Sequence, residues 1–326
     1  MICSMSLPLD QMTLSEYESW EDLRRELEIL DCRGIEAVWG GEDMPADFPC
    51  DLIGGYHLTF YPDWLDFYRE DTRTVESKFG SIDTAKAFYG GWGAEHLLNI
   101  YRADLERARH LGAPYVVFHV SDVSLEEGYT YCWQHTHREV IEAATEIVNR
   151  LMDGVEYKFE FLLENQWWPG FSFTDPELTA YMLERVNCPR CGIMRDTGHL
   201  MNCNTALMTQ RDAAAYIGEM LDRHGDLCRL IRGVHLHQSL SGAYVRSHTG
   251  SLPPLPAEYM DRFGASYGHI LQIDRHRPWD DPVVSELVER ISPVWLTHEL
   301  SGRNRAARFE AVRQQNRVLN GGRYNE

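Results

Sequence analysis

Short apolar runs alternate with amphipathic stretches from one end of this chain to the other. Runs at Ile2–Leu7, Gly34–Trp39, Asp51–His57, Tyr115–Val120, Tyr157–Glu164, Gly192–Asp196, Leu230–His235 and Val294–Glu299 have the length and branching of buried strands. Between them apolar residues return every three or four positions, which is one buried helix face. Leu97, Leu98, Tyr101, Leu105, Ala108 and Leu111 do so, as do Val140, Ala144, Ile147 and Leu151, and later Ala213, Ile217, Met220 and Leu221. Thr13-x-x-Glu16 and Ser15-x-x-Glu18 both have capping-box spacing ahead of Leu23, Leu27 and Leu30, so either can open a first helix. Eight strands separated by helices predict an α/β fold, a (β/α)8 TIM barrel. A doubly wound sheet is the rival, but no Gly-rich dinucleotide turn follows the first strand.

The chain of 326 residues shows no internal repeat and no low-complexity linker, so one barrel domain over 1–326 is expected. Two excursions interrupt the alternation. The segment 61–92, rich in charge, Gly and aromatics, reads as a long loop with a short helix at the barrel's C-terminal mouth. The segment 239–270, with Pro253, Pro254 and Pro256, reads as a second insertion there. Arg303–Leu319 is a basic amphipathic stretch, expected as a solvated outer helix.

Charge narrows the partners. Lys and Arg total 31 against 50 Asp and Glu, a net of −19, which repels phosphate backbones and anionic lipid. Nucleic acid and membrane are therefore not expected as partners. The eight Cys have no small-scaffold spacing and read as reduced thiols of a cytoplasmic protein. Met1–Leu9 lacks the basic start of a signal peptide, and no run is long enough to span a bilayer. Cys188-Pro-Arg-Cys191 has no second pair at zinc-ribbon distance and reads as a turn before the sixth strand. Gly90-Gly-Trp-Gly93 reads as a helix-entry turn. A homo-oligomer is compatible with the sequence, which carries no signal for the state.

Candidate chemistry gathers at the strand ends. His57, His119, Glu164 and Asp196 close the third to sixth strands, with His199 three residues on. His235 and His237 close the seventh, Glu299 closes the eighth, and Asp274-Arg275-His276 precedes it. In a parallel barrel all these ends face one mouth. A lone strand-end His is ordinarily a hydrogen-bonded rim residue. Several carboxylates buried beside several His are tolerable mainly when cations hold them. Metal binding is the reading that accounts for all of them together.

Asp196-Thr197-Gly198-His199 and Glu164-Asn165, with the ordered ligands around them, resemble the xylose isomerase-like TIM barrels. That superfamily joins sugar isomerases and epimerases with the zinc enzyme endonuclease IV, and the resemblance covers most of the chain through its motifs. It implies two ligand sets. The epimerase pattern of two Glu, an Asp and a His maps onto Glu164, Asp196, Glu299 and one of His235 or His237. The endonuclease IV pattern maps onto His57, His119, Glu164, Asp196, His199, His235, Asp274, His276 and Glu299, with Glu164 bridging two ions. Residues two apart on a strand share a face, so both His of Val-His-Leu-His can point to the site. His235 is assigned as the ligand, and His237 with His199 as substrate contacts.

The resemblance thus implies one to three divalent ions, zinc or manganese. It also implies an isomerase or epimerase acting on a small sugar-like or keto substrate, with Glu164 and Glu299 moving the proton. A multinuclear zinc phosphoesterase is the alternative. Against the nuclease stand the acidic charge and the aromatics Trp167, Trp168 and Phe60 beside the ligands, which suit the face of a small ring better than a duplex.

Overall fold

Eight parallel strands close on themselves in sequence order, each bonded to its neighbours and the eighth to the first. In the computed structural model, which describes residues 1–42, 44–45 and 47–320, they are β1 (Ile2–Leu9), β2 (Gly34–Trp39), β3 (Ile53–His57) and β4 (Tyr115–His119). They continue as β5 (Glu160–Glu164), β6 (Cys191–Asp196), β7 (Ile231–Leu236) and β8 (Trp295–His298). The expected span 1–326 ends in six residues that lie outside the described ones. The (β/α)8 barrel read from the apolar runs is the architecture found, with small shifts at the ends. β3 starts later than expected because Cys50–Leu52 makes a helical turn, and β5 starts at Glu160 rather than Tyr157.

The main core lies between strands and outer helices, as it must when both faces of a parallel sheet are covered. Inside the barrel the apolar filling is small: Tyr115, Val117, Leu162 and Met194, with Trp295 against them. A polar belt follows, in which Ser4, Thr297, the Tyr115 hydroxyl and Glu36 bond to one another at 2.7–3.1 Å. The ligand-type side chains come next toward the mouth.

Three local expectations change. Neither early capping box forms. Asp10 takes the Thr13 N–H and hydroxyl and turns the chain into a short helix, Gln11–Leu14, so Ser19 is left to cap Trp20–Ile29. The segment 61–92 is not a loop with one helix but three helices, Leu65–Tyr68, Thr72–Phe79 and Ile82–Tyr89, the last two capped by Asp71 and Ser81. The second insert carries helices Gly242–His248 and Tyr259–Ile273. The two inserts meet over the mouth, where Phe79 stacks on Tyr259 at 4.3 Å and Phe88 meets Phe263 at 5.2 Å. The half-buried Lys78, 2.7 Å from both Asp63 and Asp66, anchors the first insert.

Three further local readings match the structure. Cys191 opens β6 after a turn, and Gly93 caps the helix Ala94–His110. The basic stretch forms the helix Arg305–Leu319 on the outer wall. Its Arg305 pairs with Asp22 and Glu26, and Arg308 with Glu16. Gln315, fully buried, fastens that helix to Leu236 O and His298 Nδ1 at 2.8 Å. No helix among the described residues is long and apolar enough to cross a membrane.

Gly55 faces the Tyr115 ring so closely that an added Cβ would sit 2.2 Å from Cζ. Tyr115 cannot retreat, because its hydroxyl is fixed by Glu36 and Thr297. Gly55→Ala is therefore expected to cost about 1–3 kcal/mol of overpacking, read from urea unfolding midpoints at unchanged slope.

Candidate metal centre

Three groups of ligand-type atoms, each within 4.8 Å of one another, lie at the C-terminal end of the barrel. His57, His119 and Glu164 form one. Glu164, Asp196, His235 and Glu299 form the next. His199, His237, Asp274 and His276 form the third. Every residue expected as a ligand falls in one of them, and Glu164 belongs to two. His235 and His237 are both present, in different groups, because His235 lies within β7, just before Leu236 ends it, and His237 lies just past it.

The ring protons show what these groups are suited to hold. His57 and His276 each place Nδ1 at 2.9–3.0 Å from a backbone carbonyl, those of Leu58 and Glu299. A carbonyl only accepts, so Nδ1 carries the proton and Nε2 of the neutral ring presents a lone pair. Yet each Nε2, and that of His199, faces a carboxylate oxygen. His57 is 3.3 Å from Glu164 Oε2, His199 is 3.2 Å and His276 2.5 Å from Asp274 Oδ2. His119 Nε2 adds a second imidazole at the same Glu164 oxygen, 3.0 Å from it and 3.0 Å from His57 Nε2.

Acceptors converging in this way repel unless positive charge lies between them. Protons serve this imperfectly, since two imidazolium N–H groups cannot both occupy the space between His57 and His119. The carboxylates nevertheless draw them in. Burial pushes His199 and His276 down, but Asp196 and Asp274 raise the first well above its usual range, and Asp274 and Glu299 raise the second to about 10. Glu164 is opposed by burial yet held well below the usual carboxylate range by the charges of His119 and His235. The donor set of imidazole and carboxylate fits a divalent ion of the zinc or manganese kind.

The xylose isomerase-like TIM barrel family model matches residues 51–309, from just before β3 into the final helix. The chain belongs to this family. No curated protein matches the sequence significantly. Among solved structures, an endonuclease IV from Thermus thermophilus is similar at 15% identity, over 98% of this chain and 100% of that one, with a TM-score of 0.52. An L-ribulose 3-epimerase is similar at 12% identity, over 99% and 96%, with a TM-score of 0.52. The IOLI protein with a bound zinc atom is similar at 13% identity, over the whole of both chains, at 0.51. These likenesses speak to the fold.

In this member of the xylose isomerase-like family, the Asp-Thr-Gly-His motif has a steric reason. Asp196 caps the helix Thr197–Asn202 by accepting the His199 N–H at 2.5 Å, which aims His199 inward. An added Cβ on Gly198 would lie 2.0 Å from His237 Cε1, so only Gly lets that ring approach Asp196, 2.9 Å away. Asn165 Oδ1 takes the Asp196 N–H and a bond from fully buried Arg195, fixing β5 to β6 where Glu164 and Asp196 emerge.

Substrate-side expectations divide. Phe60 lies exposed over His119, at 4.5 Å between centroids, and lines a cavity of about 400 Å³ together with Trp167, Trp168, His199 and Glu299. His237 does not line it; it is fully buried and stacked on His276 at 4.2 Å. Glu164, also fully buried, is not on the cavity wall either.

Glu36 and Gln166 carry no sequence signal. Glu36 Oε2 lies 3.0 Å from His235 Nε2, so the second ring nitrogen, Nδ1, is turned to Glu164 and Glu299, both at 3.0 Å. Gln166 bridges His119 Nδ1 and His199 Nδ1 at 3.3 and 3.0 Å. Glu36 is thus placed as the carboxylate that orients His235 of the candidate group and would keep it basic toward an ion. Glu36→Gln is expected to weaken zinc binding roughly 10–100-fold, while Asp47→Asn on the surface leaves it unchanged, by competition with a chromogenic chelator.

Proposed function

We propose that the protein is a multinuclear, divalent-metal-dependent hydrolase of a small ester, most simply a phosphoester. The observation that carries this reading is the His57–His119–Glu164 contact. Two imidazole nitrogens 3.0 Å apart at one carboxylate oxygen cannot both serve substrate hydroxyls, as a single-ion isomerase would require of them. They are instead suited to hold an ion beside the one in the Glu164–Asp196–His235–Glu299 group, with Glu164 shared. Ions bound there would polarise a substrate oxygen and acidify a water.

The protein's own part is then positional. Glu36 and the backbone carbonyls of Leu58 and Glu299 orient the imidazoles they touch. Glu299 is the carboxylate of the four-residue group that reaches the cavity. Its Oε2 shares His235 Nδ1 with Glu164, each at 3.0 Å, and as the carboxylate of this group on the cavity wall it is placed to meet a substrate or water there. The two inserts roof the site and limit bulk water.

The isomerase or epimerase expected from the sequence stands as the second reading, favoured by the two-Glu, Asp, His composition of the central group. Against it, Glu164 is enclosed and absent from the cavity wall, where a proton-transfer partner of Glu299 should lie. Duplex nucleic acid is not the substrate we propose. The cavity has no Lys or Arg among its lining residues, and Arg305 and Arg308 of the outer helix are already paired.

Metal counting by plasma mass spectrometry separates the readings. Zinc- or manganese-loaded wild type is expected to hold more than one ion. Glu164→Gln is expected to lose the most, His57→Ala/His119→Ala to lose one, and Asp274→Ala/His276→Ala to lose another. One ion in wild type, unchanged in both double variants, returns the function to the isomerase. In a parallel assay the loaded protein is expected to cleave bis(p-nitrophenyl) phosphate and to leave an abasic-site duplex intact at physiological salt. Incision of that duplex, lost in Glu164→Gln, identifies a nuclease instead.

A further inference from the structure

The cavity has two unlike ends. At its floor are His57, His119, His199, Asp274, His276 and Glu299. Its upper wall is apolar: Val123, Leu125, Phe88, Phe263, Ile270 and Leu271 come from the inserts and the loop after β4, with Trp167 and Trp168 beside them. Polar groups on that wall are scattered among apolar ones: Ser124, Ser266, the Tyr61 and Tyr267 hydroxyls, the Gln166 amide, and the indole N–H groups of Trp167 and Trp168, which have no hydrogen-bond partner. Ser124 caps the helix Leu125–Thr130 by accepting the Glu127 N–H, and the Gln166 amide is held between His119 and His199. Among the described residues no Lys or Arg lines the cavity.

A sugar reaching this wall would find a few scattered donors but would lay most of its hydroxyls against aliphatic and aromatic carbon, at a cost for each one left unpaired. A chain of phosphates would meet no cation beyond those at the floor. An aromatic or branched apolar group would instead remove its own surface and that of Phe60, Ile270 and Leu271 from water, a transfer that is favourable in proportion to area. Exposure fits this. Phe60 and Leu271 are 45% and 43% exposed, large apolar side chains left uncovered at the mouth of a polar site.

We infer that the substrate is amphiphilic: a metal-chelating oxygen group at one end, and a neutral aromatic or branched apolar group lodged against Phe263, Ile270 and Leu271 at the other. This rests on the metal-dependent reading for the floor only, because the upper wall selects by shape and polarity whatever reaction follows. It narrows the small ester proposed above to one whose non-reacting part is apolar, and it ranks such a group above a sugar.

Hydroxamates test this, since their two oxygens chelate a divalent ion and the tail can be varied. Acetohydroxamate, benzohydroxamate and a four-carbon polyhydroxy hydroxamate are titrated calorimetrically into the zinc-loaded full chain. Benzohydroxamate is expected to bind at least tenfold tighter than acetohydroxamate, which is about 1.4 kcal/mol, and the polyhydroxy tail to give no gain. Ile270→Gln and Leu271→Gln, at half-buried and exposed positions where folding is not at stake, are expected to remove the phenyl gain and leave acetohydroxamate unchanged. Equal affinity for the methyl and phenyl compounds, or a preference for the polyhydroxy tail, overturns the apolar assignment while the metal reading stands. Failure of all three to bind overturns both.

Discussion

Everything at the mouth of this barrel follows from negative charge packed where water cannot reach it. Glu36, Glu164 and Asp196 are fully buried, and Asp274 nearly so, with Glu299 close by. No Lys stands among them, and Arg195 spends its one hydrogen-bonding nitrogen on Asn165 Oδ1 and the Asp196 carbonyl rather than on a carboxylate. Buried carboxylates on this scale destabilise a fold unless cations accompany them. Here the positive charge has to come through imidazoles, which either take up protons or share a metal ion. The strand-end geometry, the tautomers fixed by backbone carbonyls and the Glu36–His235 contact are parts of one solution to that charge problem.

How much of this could be read in advance depended on contrast with the neighbouring residues. The strands were legible because parallel barrel strands, covered on both faces, are continuous apolar runs. The ligands were legible for the same reason, since an ionisable side chain ending such a run stands out, as His119 does after Tyr115–Phe118. Glu36 does not stand out. An acid in mid-strand looks like a solvent-facing alternate position, and only closure of the sheet reveals that it faces inward. The assignment of His235 over His237 had no help from strand periodicity, which points both the same way. In the structure they are divided between two groups by the end of β7.

Local helix signals were less reliable than the barrel pattern. The overlapping boxes at Thr13 and Ser15 lost to Asp10 and Ser19, since a carboxylate at the end of β1 captures Thr13 before any later cap can form. The first insert read as a loop because its helices are short and rich in charge. Their stability comes from the Lys78 ion pairs and from aromatic contacts with an insert 175 to 180 residues away in sequence, which no local window contains.

The roof is not independent of the floor. The helix Tyr259–Ile273 carries Phe263, Ile270 and Leu271 of the apolar wall, and its C-terminal cap is Asp274, which faces His199 and His276. The first insert leans on the same helix through Phe79 and Phe88. Any ion that engages Asp274 therefore adds its binding free energy to the docked position of the roof, and a roof that lifts must give up part of that ion's coordination. An ion bound at Asp274 would thus couple the loading of the floor to the position of the roof, through one helix that carries both.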